Sequence, residues 1–168
     1  MVPFPRSARF PTRHVVCTLL VWYSPTNAYG ERIIMSTLRV TYDGDQHCTA
    51  RREPLGNKVA MDCPYTGKGE EFSPGNLVGS ALAGCMFLSM GAVAQRDNLN
   101  LAGAYVDVEL ANVEKPVSRI GSIDLAFTMP GDLTETDRTK LERAAGFCPI
   151  KASFHPDVTI SVSFNYGD

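Results

Sequence analysis

The chain has 168 residues, 44% of them hydrophobic and 20% charged, with a formal net charge of -2 and a pI near 5.9. This length suits one domain with its own core, and the charge balance excludes the broad basic field that phosphate backbones require, so nucleic acid is not an expected partner. Five cysteines, Cys17, Cys48, Cys63, Cys85 and Cys148, make an odd count in a chain too large to need disulfide staples. That pattern predicts a reducing compartment, the cytoplasm, rather than secretion.

Residues 1–34 differ from the rest: they carry Arg6, Arg9 and Arg13 and no acidic side chain before Glu31. Their apolar stretch from Val15 to Trp22 is far shorter than the roughly 20 residues a membrane span needs, so no transmembrane helix is expected. The pattern of a globular domain begins at Met35-Ser-Thr-Leu-Arg-Val-Thr-Tyr42. Residues 1–34 are therefore expected to lie outside the fold, as an upstream in-frame translation or a weak targeting segment, with residues 35–168 as the domain.

Leu38, Val40 and Tyr42 alternate with polar residues and run into Asp43-Gly-Asp45, which predicts a strand and a turn. A second strand through Cys48 to Arg52, a turn at Gly56-Asn57 and a third strand from Val59 to Asp62 follow. Pro64 to Ser73 reads as an exposed loop. Ser73-Pro74 supplies an N-cap and a proline at the first helical position, predicting a helix from Pro74 to Arg96. Val78, Ala81, Leu82, Cys85, Leu88 and Ala92 recur on it at three- and four-residue steps, a stripe that predicts a largely buried Cys85. Gly79, Ala83, Gly84 and Gly91 would allow a second helix or a partner backbone to approach closely. Alternation in Tyr105-Val-Asp-Val-Glu-Leu110 and at Ile123, Leu125 and Phe127 predicts a further strand pair. Thr134-x-x-Asp137 starts a second helix with Leu141, Ala144 and Ala145 inward, ending at Gly146. His155-Pro-Asp157 turns the chain into a last strand, Val158 to Phe164. The order β-β-β-α-β-β-α-β describes an α+β domain with two segregated helices.

Two cysteines stand in matched settings, Cys85 on the apolar helix and Cys148 in Gly146-Phe-Cys-Pro-Ile150. Neither belongs to a C-x-x-C pair, so local spacing gives no zinc signal, and only folding could bring the two together. Such a distant pair suits a peroxide-reacting thiol and a resolving partner. A thiolate attacks a peroxide oxygen to give a sulfenic acid and an alcohol, and a second thiol condenses with the sulfenic acid before it over-oxidises. Cys48 and Cys63 read as ordinary strand residues. A site of His47, Cys48 and Cys63 lacks the paired spacing of zinc ligands and is set aside, and His155 reads as a surface residue. Gly67-Lys-Gly69 is too short for a phosphate-binding loop.

The helix motif Ser73-Pro-Gly-Asn-Leu-Val-Gly-Ser-Ala-Leu-Ala-Gly-Cys85, the later Phe147-Cys-Pro-Ile150 and the element order together resemble the OsmC/Ohr family of thiol-dependent hydroperoxide reductases, over about Met35 to Asp168. The resemblance implies antiparallel sheets wrapped around two central helices in an intertwined homodimer, with an active site at each side of the interface. It further implies Cys85 as peroxidatic thiol, Cys148 as resolving thiol, organic hydroperoxides as substrates and a dihydrolipoamide-type dithiol as reductant, with no metal, nucleotide or flavin required. The family's peroxidases usually carry a Glu just after the helix-starting Pro, where it holds a catalytic Arg; here Gly75 and Asn76 stand in that neighbourhood. Arg51, Arg52, Glu70 and Glu71 are therefore the candidates for stabilising the thiolate. The alternative, favoured by the missing Glu and Arg, is a non-enzymatic dimer that binds an apolar ligand or senses oxidants.

Overall fold

A computed structural model describes residues 37–167 except Pro54, so Cys17 and the expectations for residues 1–34 lie outside the described residues. The element order is β1 Leu38–Gly44, β2 His47–Arg52, β3 Lys58–Asp62, α1 Pro74–Asp97, β4 Tyr105–Val113, β5 Arg119–Met129, α2 Glu135–Gly146, α3 Pro149–Ala152 and β6 Thr159–Tyr166. This is the expected α+β order with one short helix added. The strands form two three-stranded sheets, β1-β2-β3 and β4-β5-β6.

Both long helices begin at the predicted caps. The Ser73 hydroxyl accepts from the Asn76 amide at 3.1 Å while the Asn76 side chain accepts from the Ser73 amide at 2.9 Å, a reciprocal pair that satisfies two otherwise unpaired donors. Thr134 caps α2 without the reciprocal bond, its hydroxyl accepting from the Asp137 amide at 3.2 Å. Pro149 does not simply stop the chain after α2: it opens α3, a single turn with Cys148 as its N-cap.

The second sheet builds the core. Ile123, Leu125, Phe127 and Met129 alternate inward along β5 and meet Leu82, Met86 and Met90 of α1 and Leu141, Ala144 and Ala145 of α2. Phe127 is fully buried between Phe87, in edge contact at 5.0 Å, and Phe164, stacked at 5.1 Å. The expectation of antiparallel sheets is corrected here: β4 pairs antiparallel with β5, whereas β6 pairs parallel with β5, from Ser122 opposite Thr159 to Met129 opposite Tyr166. The cause is the connection between them. The chain leaves one end of β5, passes through α2 and α3, and re-enters at the other end, a crossover that parallel strands need and a hairpin cannot supply.

The expected apolar stripe on α1 is also corrected. Gly79, Leu82, Ala83, Met86, Met90 and Ala94 are buried, whereas Ala81, Leu88 and Ala92 are exposed and Val78 and Cys85 only partly covered. The helix is apolar around its whole circumference, so periodicity alone cannot choose the inward side. By length and composition α1 could cross a membrane, with a mean hydropathy of 1.8 over an 18-residue window. Within the fold it packs on α2, β4 and α3, and a third of that window is buried within the chain. Lys140 on α2 clamps the far end of α1, contacting Asp97 and Asp137 at 3.1 Å each. Arg96 and Lys140 hold the Asp97 carboxyl far below the ordinary carboxylate range.

The first sheet is a meander. Its β1–β2 hairpin closes at Asp45-Gln46, with φ of 47° and 63°, one step later than the expected Asp43-Gly-Asp45 turn. Two consecutive residues of positive φ suit the right-handed twist of a two-residue hairpin. After β3, the loop to α1 folds back on Asp62: the Asp62 amide donates to the Phe72 carbonyl at 3.1 Å, and its carboxylate accepts from the Glu70 amide at 2.9 Å.

Candidate functional site

Cys85 lies midway along α1, and Cys148 lies where α2 gives way to α3. Gly146 ends α2, Phe147 caps it, and Cys148 takes an extended conformation with φ of -72° and ψ of 116°. Its sulfur accepts from the Lys151 amide at 3.4 Å, capping the single turn that Pro149 begins. Because α1 packs on both α2 and α3, this bend brings Cys148 against α1. Cys85 packs against the core that buries Cys148, close enough to act on its thiol. The structure thus joins two cysteines that local spacing leaves unrelated.

Their environments differ. Cys148 is buried at 2% exposure, whereas Cys85 is partly accessible, less covered than the expected largely buried position. Burial, and next the neighbouring Cys85, push the Cys148 thiol up, with the Lys151 amide opposing. Both causes favour the protonated form of Cys148. Neither cysteine is in a disulfide. On the same helix the Ser89 hydroxyl donates to the Cys85 carbonyl at 3.1 Å. Two large apolar side chains stand exposed nearby in sequence, Leu88 beyond Cys85 and Phe147 before Cys148.

The four candidate stabilising residues lie elsewhere in the chain. Arg51 is exposed near the β2–β3 turn and pairs with Glu53 at 3.2 Å, and Arg52 is exposed at the end of β2. Glu70 and Glu71 are exposed on the wall of an open cleft of about 1350 Å³, bounded by the first sheet, the start of α1 and β4. Neither Cys85 nor Cys148 lines this cleft.

Sequence reasoning missed two features of the cleft. Asp62 is 2% exposed, with His47 Nε2 3.7 Å from its Oδ2 and with Oδ1 buried and unpartnered. Cys63, read as an ordinary strand residue, instead opens a tight turn closed by the Gly67 amide on the Cys63 carbonyl at 2.8 Å. The Thr66 hydroxyl, followed by the Tyr65 and Thr66 amides, pushes the Cys63 thiol below its ordinary value. Pro64 and Gly67 in Cys-Pro-Tyr-Thr-Gly were the available signal, a turn composition directly after a strand.

A family model described as OsmC-like protein matches residues 67–163. No protein in a search of curated proteins matches. Among solved structures, a Psychrobacter arcticus protein provisionally described as osmotic stress induced and of a detoxification response is 30% identical, with a TM-score of 0.73 over 79% of this chain and 98% of that one. The organic hydroperoxide resistance protein OhrB of Bacillus subtilis is 15% identical, with a TM-score of 0.61 over 79% of this chain and 98% of its own. An organic hydroperoxide resistance protein of Elizabethkingia anophelis is 14% identical, with a TM-score of 0.62 over 82% and 99%. At those lower identities the likeness is one of fold. The match across the core helix, the second sheet and both matched cysteines, together with the Psychrobacter relative, places the chain in the OsmC-like family.

Proposed function

We propose that the protein is a thiol-dependent peroxidase that reduces organic hydroperoxides to alcohols through Cys85, with Cys148 as resolving thiol. The observation that carries this reading is that two thiols distant in sequence and unequal in burial come together in the same core, close enough for Cys85 to raise the Cys148 thiol. Cys85 as thiolate attacks the terminal peroxide oxygen; the O–O bond breaks, the alkoxide leaves and takes a proton as alcohol, and Cys85 becomes a sulfenic acid. Cys148 gives up its proton and attacks the Cys85 sulfur, hydroxide leaves as water, and a disulfide forms. An external dithiol of the dihydrolipoamide type reopens that bond by exchange and is itself oxidised. The partial exposure of Cys85 gives the peroxide access, while the burial of Cys148 keeps the resolving thiol protonated until it is needed.

The assembly belongs to the same proposal. Ala81, Leu88 and Ala92 leave an apolar face of α1 uncovered, and a second copy of the chain covering it as a homodimer would remove that face from water. Arg51, Arg52, Glu70 and Glu71 remain the proposed thiolate-stabilising side chains. Since none reaches Cys85 within its own chain, that role falls to a second copy. The proposed location is the cytoplasm, where reducing conditions keep both thiols free.

The test is consumption of an alkyl hydroperoxide by the reduced protein with a dithiol, against Cys85→Ser and Cys148→Ser. Turnover is expected to vanish in Cys85→Ser, while Cys148→Ser consumes about one equivalent and accumulates sulfenic acid. Equal, negligible consumption by all three proteins would remove the peroxidase reading and move the apolar-ligand or oxidant-sensing alternative to first place.

A further inference from the structure

A resolving thiol must be held where the sulfenic acid forms, and for Cys148 the backbone does the holding. Cys148 is extended, with φ of -72° and ψ of 116°, between the end of α2 at Gly146 and the start of α3 at Pro149. Gly146 does not impose that break. It is still helical and does not take the positive φ with which a glycine commonly ends a helix. Phe147 carries no such restriction either. Pro149 does: its ring disfavours a helical backbone at the residue before it, and it lacks the N–H that a continuing helix would donate to the Ala145 carbonyl. The steric restriction falls on Cys148.

The turn that follows has ties of its own. The Ala152 amide donates to the Cys148 carbonyl at 3.2 Å, the Ser153 hydroxyl donates to the Pro149 carbonyl at 2.9 Å, and Ile150 and Phe154 pack against the core. On the peroxidase reading, we infer that Pro149 is a positioning residue for the resolving step: by denying Cys148 a helical backbone it holds the resolving sulfur on the Lys151 amide and against α1, ready for a sulfenic acid at Cys85. Without the proline, α2 can run on through Phe147 and Cys148. A helical Cys148 would still lie on the inward side, seven residues beyond Leu141, so the core need not open. The sulfur would nevertheless move, because an extended residue advances the chain by about 3.3 Å and a helical one by about 1.5 Å. A misplacement of about 1 Å between reacting groups can cost a hundredfold in rate.

The test compares the unsubstituted reduced protein with Pro149→Ala and with Ser153→Ala, which removes a tie within α3 but leaves Cys148 restricted. Each is treated with excess alkyl hydroperoxide, and the products at Cys85 are followed by peptide mass spectrometry. In Pro149→Ala, oxidation of Cys85 to sulfenic acid is expected at an unchanged rate, while closure to the Cys85–Cys148 disulfide slows by about tenfold or more and Cys85 sulfinic acid accumulates instead. Ser153→Ala should keep the unsubstituted partition between disulfide and sulfinic acid. A second assay replaces peroxide by oxidised glutathione: the Cys85 thiolate attacks it and one glutathione thiolate leaves, then Cys148 attacks the Cys85 sulfur and the second leaves. Here Pro149→Ala should stall at the mixed disulfide while the other two proteins close. Closure at the unsubstituted rate in Pro149→Ala, equal slowing in Ser153→Ala, or a first step slowed as much as closure would overturn the assignment of Pro149. Loss of peroxide oxidation in all three proteins, with the glutathione contrast intact, would remove the peroxidase reading and leave Pro149 as the residue that holds Cys148 to Cys85.

Discussion

The two sheets solve the same packing problem differently. The β4-β5-β6 sheet lays Ile123, Leu125, Phe127 and Met129 against α1 and α2 and is buried on that face, whereas β1 leaves Leu38, Val40 and Tyr42 exposed at 62%, 60% and 64%. Both sheets have the same two-residue alternation, so the difference lies in what covers them. The contrast separates a region that buries the Cys85–Cys148 pair from one that lines an open cleft and holds the Cys63 turn. The paired thiols pack into the buried core, while Cys63 sits in a turn closed by the Gly67 amide.

The largest effect expected from this contrast comes from Phe127→Ala, which removes the ring between Phe87 and Phe164. It should cost about 3–5 kcal/mol, read as a lower denaturant midpoint, and a change under 1 kcal/mol would break the picture of a single core centred there. Gly67→Ala tests the other region. A Cβ at position 67 would stand 2.6 Å from the Cys63 carbonyl oxygen, a backbone atom that cannot swing away. The substitution should open the turn and slow alkylation of Cys63 near neutral pH while leaving the global midpoint nearly unchanged. A large loss of global stability instead would join the two regions into one cooperative unit.

A pH series sharpens the same division. Hydrogen bonds hold the Cys63 thiol below its ordinary value, whereas burial and Cys85 hold Cys148 above it. More thiolate at a given pH means faster alkylation. Cys63 should therefore label before Cys148 as pH rises, and the reverse order would refute the assignment of environments. The sign also fixes a stability trend. A folded-state value raised at Cys148 means that the native protein binds this proton more tightly than the unfolded chain, so its contribution is full at lower pH and is lost as pH rises through the raised value. The smallest expected effect is that of Val40→Thr on the exposed face of β1, within about 0.5 kcal/mol in a single chain. A larger, concentration-dependent loss would show that another copy covers this face.

The caps were legible in the residues themselves: Ser73-Pro74 and Thr134-x-x-Asp137 locate both long helices, and alternation locates all six strands. What alternation cannot carry is direction, so the parallel course of β6 was invisible in Val158, Ile160, Val162 and Phe164. Helical periodicity failed on α1 for a related reason. Leu82, Met86 and Met90 compete with Ala81, Leu88 and Ala92 as apolar faces, and only the docking of α2 and the second sheet decides between them. The motifs around Cys85 and Cys148 were readable, but their contact depends on the bend at Phe147 and the extra turn begun by Pro149. Nothing in the composition around Asp62 announced a buried carboxylate, because its burial comes from a loop folding back over the end of β3.

The parallel pairing of β6 has a further bearing on how this molecule could change over generations. A hairpin loop can be trimmed to two residues, but a crossover between parallel strands must keep a dozen or more. Cys148 rides on that connection. Shortening enough to delete its surroundings would also strand β6 from the sheet, so the second thiol has been placed in a stretch that insertions can lengthen but deletions cannot remove.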